Sequence, residues 1–163
     1  MMNSPEELEK IKEIIKNVRT AMLVTIDDDG CLHSRPMGTM PIESIHEIWF
    51  FTSDDSPKAL IINTHHQVNL SYCDHDKNSH VSVSGKAEIV RDKQKMKELW
   101  NPMLKSWFPK GIDDPHICLL KVTPQAMQYW DYSSSILSLA GQYIKKMATG
   151  EDLNTEANKK INL

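Results

Sequence analysis

Short strand-like runs separated by tight turns constrain the fold of this chain more than any other sequence feature. The first two runs flank Asp29-Gly30, a turn dipeptide that strongly indicates a β-hairpin. Later runs alternate polar and apolar residues or are rich in aromatic and β-branched residues, as strands are. We place strands at residues 21–26, 31–37, 45–52, 67–73, 80–90 and 116–130, the last as a strand pair or one bent strand. Because no regular strand–helix–strand repeat connects these runs, we expect an antiparallel barrel with helical decoration rather than a doubly wound parallel sheet.

Helical patterns occur at both ends of the chain and between the strands. We place helices at residues 4–18, 56–63, 92–100 and 133–147. The first helix is amphipathic and begins with Ser4-Pro5, a good N-terminal signal. Gly85, inside a predicted strand, indicates a bulge or a close approach of another backbone. We treat residues 1–150 as a single domain and residues 151–163 as a polar C-terminal tail that frays.

Composition argues against several classes of protein. The 163 residues carry a net charge of −3, so the chain has no overall positive charge for binding a nucleic-acid backbone. No apolar run approaches the ~20 residues needed to span a membrane, and the N-terminal segment is too polar for a signal peptide. The three cysteines, Cys31, Cys73 and Cys118, are widely spaced and predict reduced thiols. We therefore expect a cytoplasmic protein with neither a nucleic-acid nor a membrane partner.

The segment from Thr52 to Lys58 contains the sharpest local signal for a binding site. A strand ends there, a Ser-Pro pair begins a helix, and a lysine lies in the first helical turn. Lysine is unusual at that end of a helix dipole, but it is suited to neutralising an anion that binds the free backbone N–H groups. Thr52 and Ser56 would add hydroxyl donors. The alternative is structural: Ser56 is only an N-cap and Lys58 points into water.

Arg35 is a second candidate for anion binding. It lies on a predicted strand between Ser34 and Pro36. A strand arginine can cross a cleft and bind a phosphate with two parallel hydrogen bonds. The alternative is an exposed strand arginine without a ligand.

A metal site and the standard catalytic motifs find less support. Cys73, Asp74, His75 and His80 cluster in the sequence, but their spacing matches no standard zinc pattern and their composition is typical of a polar hairpin turn. We therefore predict no metal. The motifs of serine hydrolases, P-loop proteins, dinucleotide-binding folds and zinc proteases are absent from the sequence.

Taken together, seven motifs in order resemble the pyridoxamine 5′-phosphate oxidase-like, FMN-binding split-barrel family, and within it the general stress protein 26 branch. The resemblance covers about residues 5–131. The motifs are SRPM (34–37), WFFTSDDSPK (49–58), VNLSYCD (68–74), VSVSGKAEIVRD (81–92), ELWNP (98–102), WFPKGIDDP (107–115) and YWD (129–131). Each is loose alone, but the order makes the set specific.

The resemblance implies a mainly β protein, a six-stranded antiparallel split β-barrel flanked by short helices. It also implies a homodimer with FMN at the subunit interface. Arg35 and Lys58 would hold the FMN phosphate, with the hydroxyls of Thr52 and Ser56 as partners. This assignment agrees with the anion-binding interpretation of the same two segments.

The resemblance also implies contacts with the isoalloxazine ring. Pro36 and Met37 would line it with backbone groups, and Phe51 would lie beside it. His80 takes the place of a glutamine that the oxidases supply from the other subunit. Trp130 matches an aromatic residue near the flavin at the end of the last long strand.

The chain departs from the oxidases in ways that bear on substrate. Pro57 replaces a basic residue that helps hold the phosphate, Met40 replaces a lysine, and no arginines follow Trp130. We therefore predict a flavin-dependent oxidoreductase with a general stress role that is not a true pyridoxamine phosphate oxidase. His80 is a speculative proton donor, with a structural histidine as the alternative. Two other hypotheses stay open: a non-catalytic flavin-binding or storage module, and the same fold holding FAD or a deazaflavin.

Overall fold

The periodic runs of the sequence form helices and strands near the predicted positions in a computed structural model, which describes residues 5–132 and 158–163. The helices are α1 (Pro5–Lys16), α2 (Pro57–Ile62) and α3 (Lys93–Leu99), followed by two short 3₁₀ helices at Pro102–Ser106 and Gly111–Asp113. The strands are β1 (Thr20–Ile26), β2 (Leu32–Gly38), β3 (Ile48–Ser53), β4 (Gln67–Asp74), β5 (Ser79–Val90), β6 (Ile117–Asp131) and β7 (Asn158–Asn162). None of the described helices is long and apolar enough to cross a membrane.

Six strands form one antiparallel sheet in the order β2-β1-β4-β5-β6-β3. The two end strands of this order, β2 and β3, lie in contact but form no ladder in the described part of the chain. The sheet therefore curls until its edges meet without pairing. This arrangement confirms the predicted class, a mainly β antiparallel split barrel with few helices.

The barrel interior is the main core. Directly opposed residues of neighbouring strands point to the same face of a sheet, so rows of paired residues show which face is inward. One row runs through Leu23, Leu70, Val83 and Met127, all almost completely buried. The isoleucines of α1 join this core, as the sequence periodicity predicts.

A second core lies outside the barrel, between β3, β6 and α3. Its buried members are Met40, Phe51, Met96, Leu99, Leu104, Ile117 and Leu119, with Trp49, Trp100 and Phe108 packed against them. Residues 102–115 contribute to it through Leu104 of the first 3₁₀ helix and through Phe108.

Gly85 confirms the predicted irregularity in β5. The pairing of β5 with β6 shifts register between Ser84 and Gly85. A Cβ atom at Gly85 would lie 2.5 Å from the backbone oxygen of Thr123 and 3.0 Å from the Cα of Pro124. The two backbones therefore approach more closely than any other residue type allows.

The structure decides between two alternatives at the C-terminal end and corrects one expectation. Ile117–Asp131 is one strand of 15 residues, so the strand-pair alternative is wrong. The tail does not fray throughout: β7 pairs with β6, and Ile161, opposite Met127, is only 1% exposed. The buried Ile161 side chain and the pairing with the edge of β6 are enough to order β7, although this segment is polar. The helix predicted at residues 133–147 lies outside the described residues.

Candidate functional site

Arg35 points into the barrel at the open edge of β2. It is paired with Leu23, whose row continues through buried residues, so the strand directs its side chain inward. The Arg35 guanidinium donates a hydrogen bond of 2.9 Å to Oγ1 of Thr25, which is itself buried. Among the described residues no carboxylate forms an ion pair with Arg35. The structure therefore does not support the interpretation of Arg35 as an exposed strand arginine.

The loop between β3 and α2 supplies hydroxyl groups at the facing edge of the split. Thr52 is 2% exposed, and its Oγ1 lies 3.5 Å from Oγ of Ser56. Ser56 is the N-cap of α2: its Oγ accepts from the backbone N–H of Ala59 at 3.4 Å and donates to the Ser53 carbonyl at 2.6 Å. The structural role expected for Ser56 is therefore present.

Lys58 does not point freely into water, contrary to the alternative considered from the sequence. Its side chain is half-buried, and burial is the larger cause that lowers its pKa. Repulsion from Arg35 is the second cause, so the two cations lie within electrostatic range of each other. No acidic side chain in the described part of the chain pairs with Lys58. Two half-buried like charges without a counter-ion form a site suited to an anion.

Cys118 and Thr25 complete the polar surroundings of these cations, and the sequence alone does not reveal either. Cys118 lies opposite Thr52 in the β3–β6 ladder, and its Sγ is 3.7 Å from the Thr52 carbonyl oxygen. Burial raises the pKa of the Cys118 thiol to about 11, so the thiol is neutral near pH 7. Only the register of the ladders places Cys118 and Thr25 near the cations; no local sequence signal does so.

Pro36, Met37 and Phe51, which the resemblance places near an isoalloxazine ring, differ in how exposed their side chains are. Pro36 is exposed, whereas the side chain of Met37 is buried in the main core. Phe51 is 7% exposed in the second core, with its ring centroid 5.6 Å from that of Trp100 and 6.3 Å from that of Phe108. The side chains of Met37 and Phe51 are therefore engaged in the two cores.

His80 and Trp130 lie together, but on the outer face of the sheet. They are direct partners in the β5–β6 ladder, and the neighbouring pair Val81 and Tyr129 points inward. The His80 ring also contacts Tyr132, with the ring centroids 6.4 Å apart. The predicted site residues of one chain therefore fall into two groups. The first group, which lies around the split between β2 and β3, is Arg35, Thr52, Ser56 and Lys58. The second group, His80 and Trp130, lies on the outer face of the sheet.

A charged cluster, which the sequence did not predict, adjoins the β3–α2 loop. Asp54 Oδ2 lies 2.6 Å from the Arg91 guanidinium, and Asp54 Oδ1 lies 3.0 Å from His116 Nδ1. These hydrogen bonds lower the pKa of Asp54 and raise the pKa of His116. Asp54, Asp55 and His116 form the only described group of three whose potential metal-ligand atoms lie within 4.8 Å of one another. Cys73, with Sγ 3.7 Å from His75 Nδ1, forms no such group in the described ranges.

Comparison with known proteins adds family evidence to this geometry. A family profile described as pyridoxamine 5′-phosphate oxidase like matches residues 6–154, most of the chain. Protein bli-3 of Neurospora crassa is 24% identical over 156 residues, which cover 90% of this chain and 75% of that protein.

Solved structures show the same fold. A candidate general stress protein 26 from Jannaschia sp. CCS1 superimposes with a TM-score of 0.78 over 98% of this chain and 100% of its own, at 20% identity. The general stress FMN/FAD binding protein of Xanthomonas citri is 30% identical, with a TM-score of 0.68 over 78% of this chain and 90% of its own.

Proposed function

Because this chain belongs to the pyridoxamine 5′-phosphate oxidase-like family, we propose that it binds FMN and holds the flavin phosphate between Arg35 and Lys58. The observation that carries the proposal is the approach of two half-buried cations with no carboxylate to neutralise them in the described residues. A phosphate monoester would supply the missing charge, and the hydroxyls of Thr52 and Ser56 would bind its oxygens. A relative that is 30% identical is described as FMN/FAD binding, which supports a flavin.

FMN suits these residues better than FAD. Both carry two negative charges on phosphate, but FMN concentrates them on a single phosphorus atom at the end of the ribityl chain. In this proposal Arg35 of β2 and Lys58 of α2 bind one phosphate group together, as a terminal monoester allows. FAD, whose charges are spread over a diphosphate, is the alternative ligand.

We propose an oxidoreductase role in which the flavin supplies the hydride or electron transfer when bound. The side chains of this chain would bind and orient it. The thiol of Cys118 is neutral and buried, so it is not a reactive thiolate at neutral pH. A flavin-binding module without turnover is the alternative, and reduction by NADH or NADPH with turnover on an electron acceptor would distinguish the two.

The substrate is not that of the true oxidases in this proposal. Met40, which stands where the resemblance places a lysine, is buried in the second core and offers no charge. Pro57 is exposed and offers none to the phosphate. Since Met40 offers no charge and no arginine follows Trp130, we infer a substrate other than pyridoxamine phosphate.

A second copy of the chain would complete the site. His80 and Trp130 face away from Arg35, so they could approach a flavin only from another subunit. The outer face of β1 and β2 bears an exposed apolar strip, with Met22 38%, Ile26 36% and Leu32 71% exposed. A partner covering this face would remove that surface from water.

The three free thiols favour a reducing compartment, and we place the dimer in the cytoplasm.

Titration with FMN and with riboflavin, followed by quenching of flavin fluorescence, tests the proposal. Riboflavin has the same ring and ribityl chain but lacks the phosphate. Two charge-assisted contacts predict that FMN binds at least about a hundredfold more tightly. Equal affinity for the two ligands would refute the phosphate assignment, and no binding of either would refute the flavin proposal.

A further inference from the structure

Asp54 lies in the turn between β3 and α2, the two elements that carry the hydroxyl groups and the lysine of the proposed anion site. It follows β3, which carries Thr52, and precedes α2, which carries Lys58 in its first turn. The backbone N–H of Asp54 donates to the carbonyl of His116 at 2.9 Å, just beyond the last pair of the β3–β6 ladder. The direction in which the chain leaves the sheet is therefore set at this residue.

The side chain of Asp54 ties this turn to two other elements. Arg91 follows the end of β5 and His116 precedes β6, and each contributes one hydrogen bond to a different oxygen of the Asp54 carboxylate. The Asp54 side chain is 19% exposed, whereas that of Asp55 is 64% exposed. Although Arg91 and His116 are more than half exposed, a carboxylate held through both oxygens by two different elements is more restricted than one held by a single partner.

The cluster and the anion site are neighbours. Asp54 lies two residues from both Thr52 and Ser56, and its backbone N–H is bonded to His116, two residues before Cys118. Asp54 also brings a negative charge close to the site where a phosphate would bind. Its charge alone would weaken phosphate binding, and Arg91 together with His116 offsets that charge.

A metal ion is the other possible occupant of this cluster. Asp54, Asp55 and His116 have suitable atoms, but Arg91 already lies 2.6 Å from Asp54. A guanidinium at that distance repels a cation and takes one carboxylate oxygen. The hydrogen-bonded network therefore explains the cluster better than a metal site does.

We propose that Asp54 is a positioning residue for the flavin phosphate: anchored by Arg91 and His116, it fixes the turn that sets Ser56 and Lys58 opposite Arg35. This inference rests on the proposed flavin function. Asp54 itself does not touch the ligand. Its effect is transmitted through the backbone of the β3–α2 loop.

Asp54→Asn tests the proposal by the sign of its effect. The variant removes a negative charge near the phosphate, so charge alone predicts tighter FMN binding. The neutral amide holds Arg91 and His116 less firmly than a carboxylate does, and this weaker anchor predicts FMN binding about tenfold weaker, while riboflavin affinity stays unchanged. The ratio of the two affinities separates positioning from general destabilisation, which would weaken both ligands alike. Asp113→Asn, at an exposed aspartate in the second 3₁₀ helix, is the matched control and should leave the ratio unchanged.

Arg91→Gln provides an independent test, because its side chain is 64% exposed and its loss leaves the cores intact. Charge alone also predicts weaker FMN binding in this variant, so the double variant with Asp54→Asn decides. Positioning predicts no further loss of FMN preference in the double variant, since the two residues act as a unit, whereas charge alone predicts that removing both charges restores it. If wild-type protein prefers FMN and both single variants keep that preference, the positioning role is refuted while the proposed function stands. If wild-type protein shows no preference for FMN, the proposed function itself fails. FMN affinity in the wild type that requires added Mg²⁺ or Zn²⁺ would overturn the assignment in favour of a metal site.

Discussion

Lys58 carries a charge that no carboxylate offsets within the described residues. A buried lysine near an arginine is retained where the charge serves a ligand, because burial and repulsion both disfavour the charged form. The same reasoning applies to Arg35, whose guanidinium is satisfied only by the neutral hydroxyl of Thr25 among described partners. Both residues are therefore better explained by a bound anion than by the stability of the fold.

We expect Lys58→Ala and Arg35→Ala each to weaken FMN binding by about 1.5–3 kcal/mol, the range of charged hydrogen bonds to a phosphate. Fluorescence titration measures the change. The exposed Lys97→Ala and Arg19→Ala provide matched controls and should bind FMN as the wild type does. Unchanged affinity in both site variants would remove the basis of the phosphate assignment.

The lowered pKa of Lys58 predicts how FMN affinity depends on pH. Phosphate binding requires the charged amine, and the charged fraction falls as pH rises through the pKa. Because that pKa lies below the usual value of about 10.4, affinity should begin to fall at a lower pH than an ordinary lysine would cause. Binding takes up a proton in this range, since a bound phosphate raises the pKa again.

Lys58→Arg is the control for this pH dependence, because arginine stays charged throughout the range. The decline in FMN affinity at alkaline pH should be absent or much smaller in this variant. Titration of the flavin ring itself is common to both proteins and cancels in the comparison. An identical decline in the two proteins would show that another group is responsible.

At the scale of single elements, the β5–β6 ladder depends on Gly85. A methyl group there would collide with the backbone of Thr123, and neither strand can yield without breaking pairs. We predict that Gly85→Ala lowers the free energy of unfolding by about 1–3 kcal/mol, the usual cost of overpacking. Gly38→Ala is the control, since a Cβ there meets nothing within 4 Å. Equal stability of the two variants in chemical denaturation would contradict the close approach.

At the scale of the whole molecule, the proposed function places residues of two copies of the chain at one flavin. We predict that the protein sediments as a dimer, at twice the 18.7 kDa chain mass, at micromolar concentration. Leu32→Asp places a charge on the exposed apolar strip of β1 and β2 and should shift the protein toward monomer. Leu60→Asp, at an exposed leucine of α2, should remain dimeric. A wild-type monomer that still binds FMN would contradict a shared site.

The sequence by itself determined the local elements. The hairpin around Asp29-Gly30, the Ser-Pro start of α2 and the bulge at Gly85 follow from short-range periodicity and turn chemistry, which neighbouring residues specify. The resemblance of seven ordered motifs supplied the fold family, and it implies that Arg35 and Lys58 are phosphate ligands. Neither source indicated β7, because a polar segment with one isoleucine has no strand pattern of its own.

Only the tertiary structure decided which residues share a face or a cavity. The register of the ladders turns Arg35 inward and His80 and Trp130 outward, and a shift of one residue would reverse each of them. The contacts of Cys118 with Thr52 and of Asp54 with Arg91 and His116 join segments that are distant along the chain. Such contacts form when the whole barrel closes and its strands pair, so no local pattern of residues encodes them.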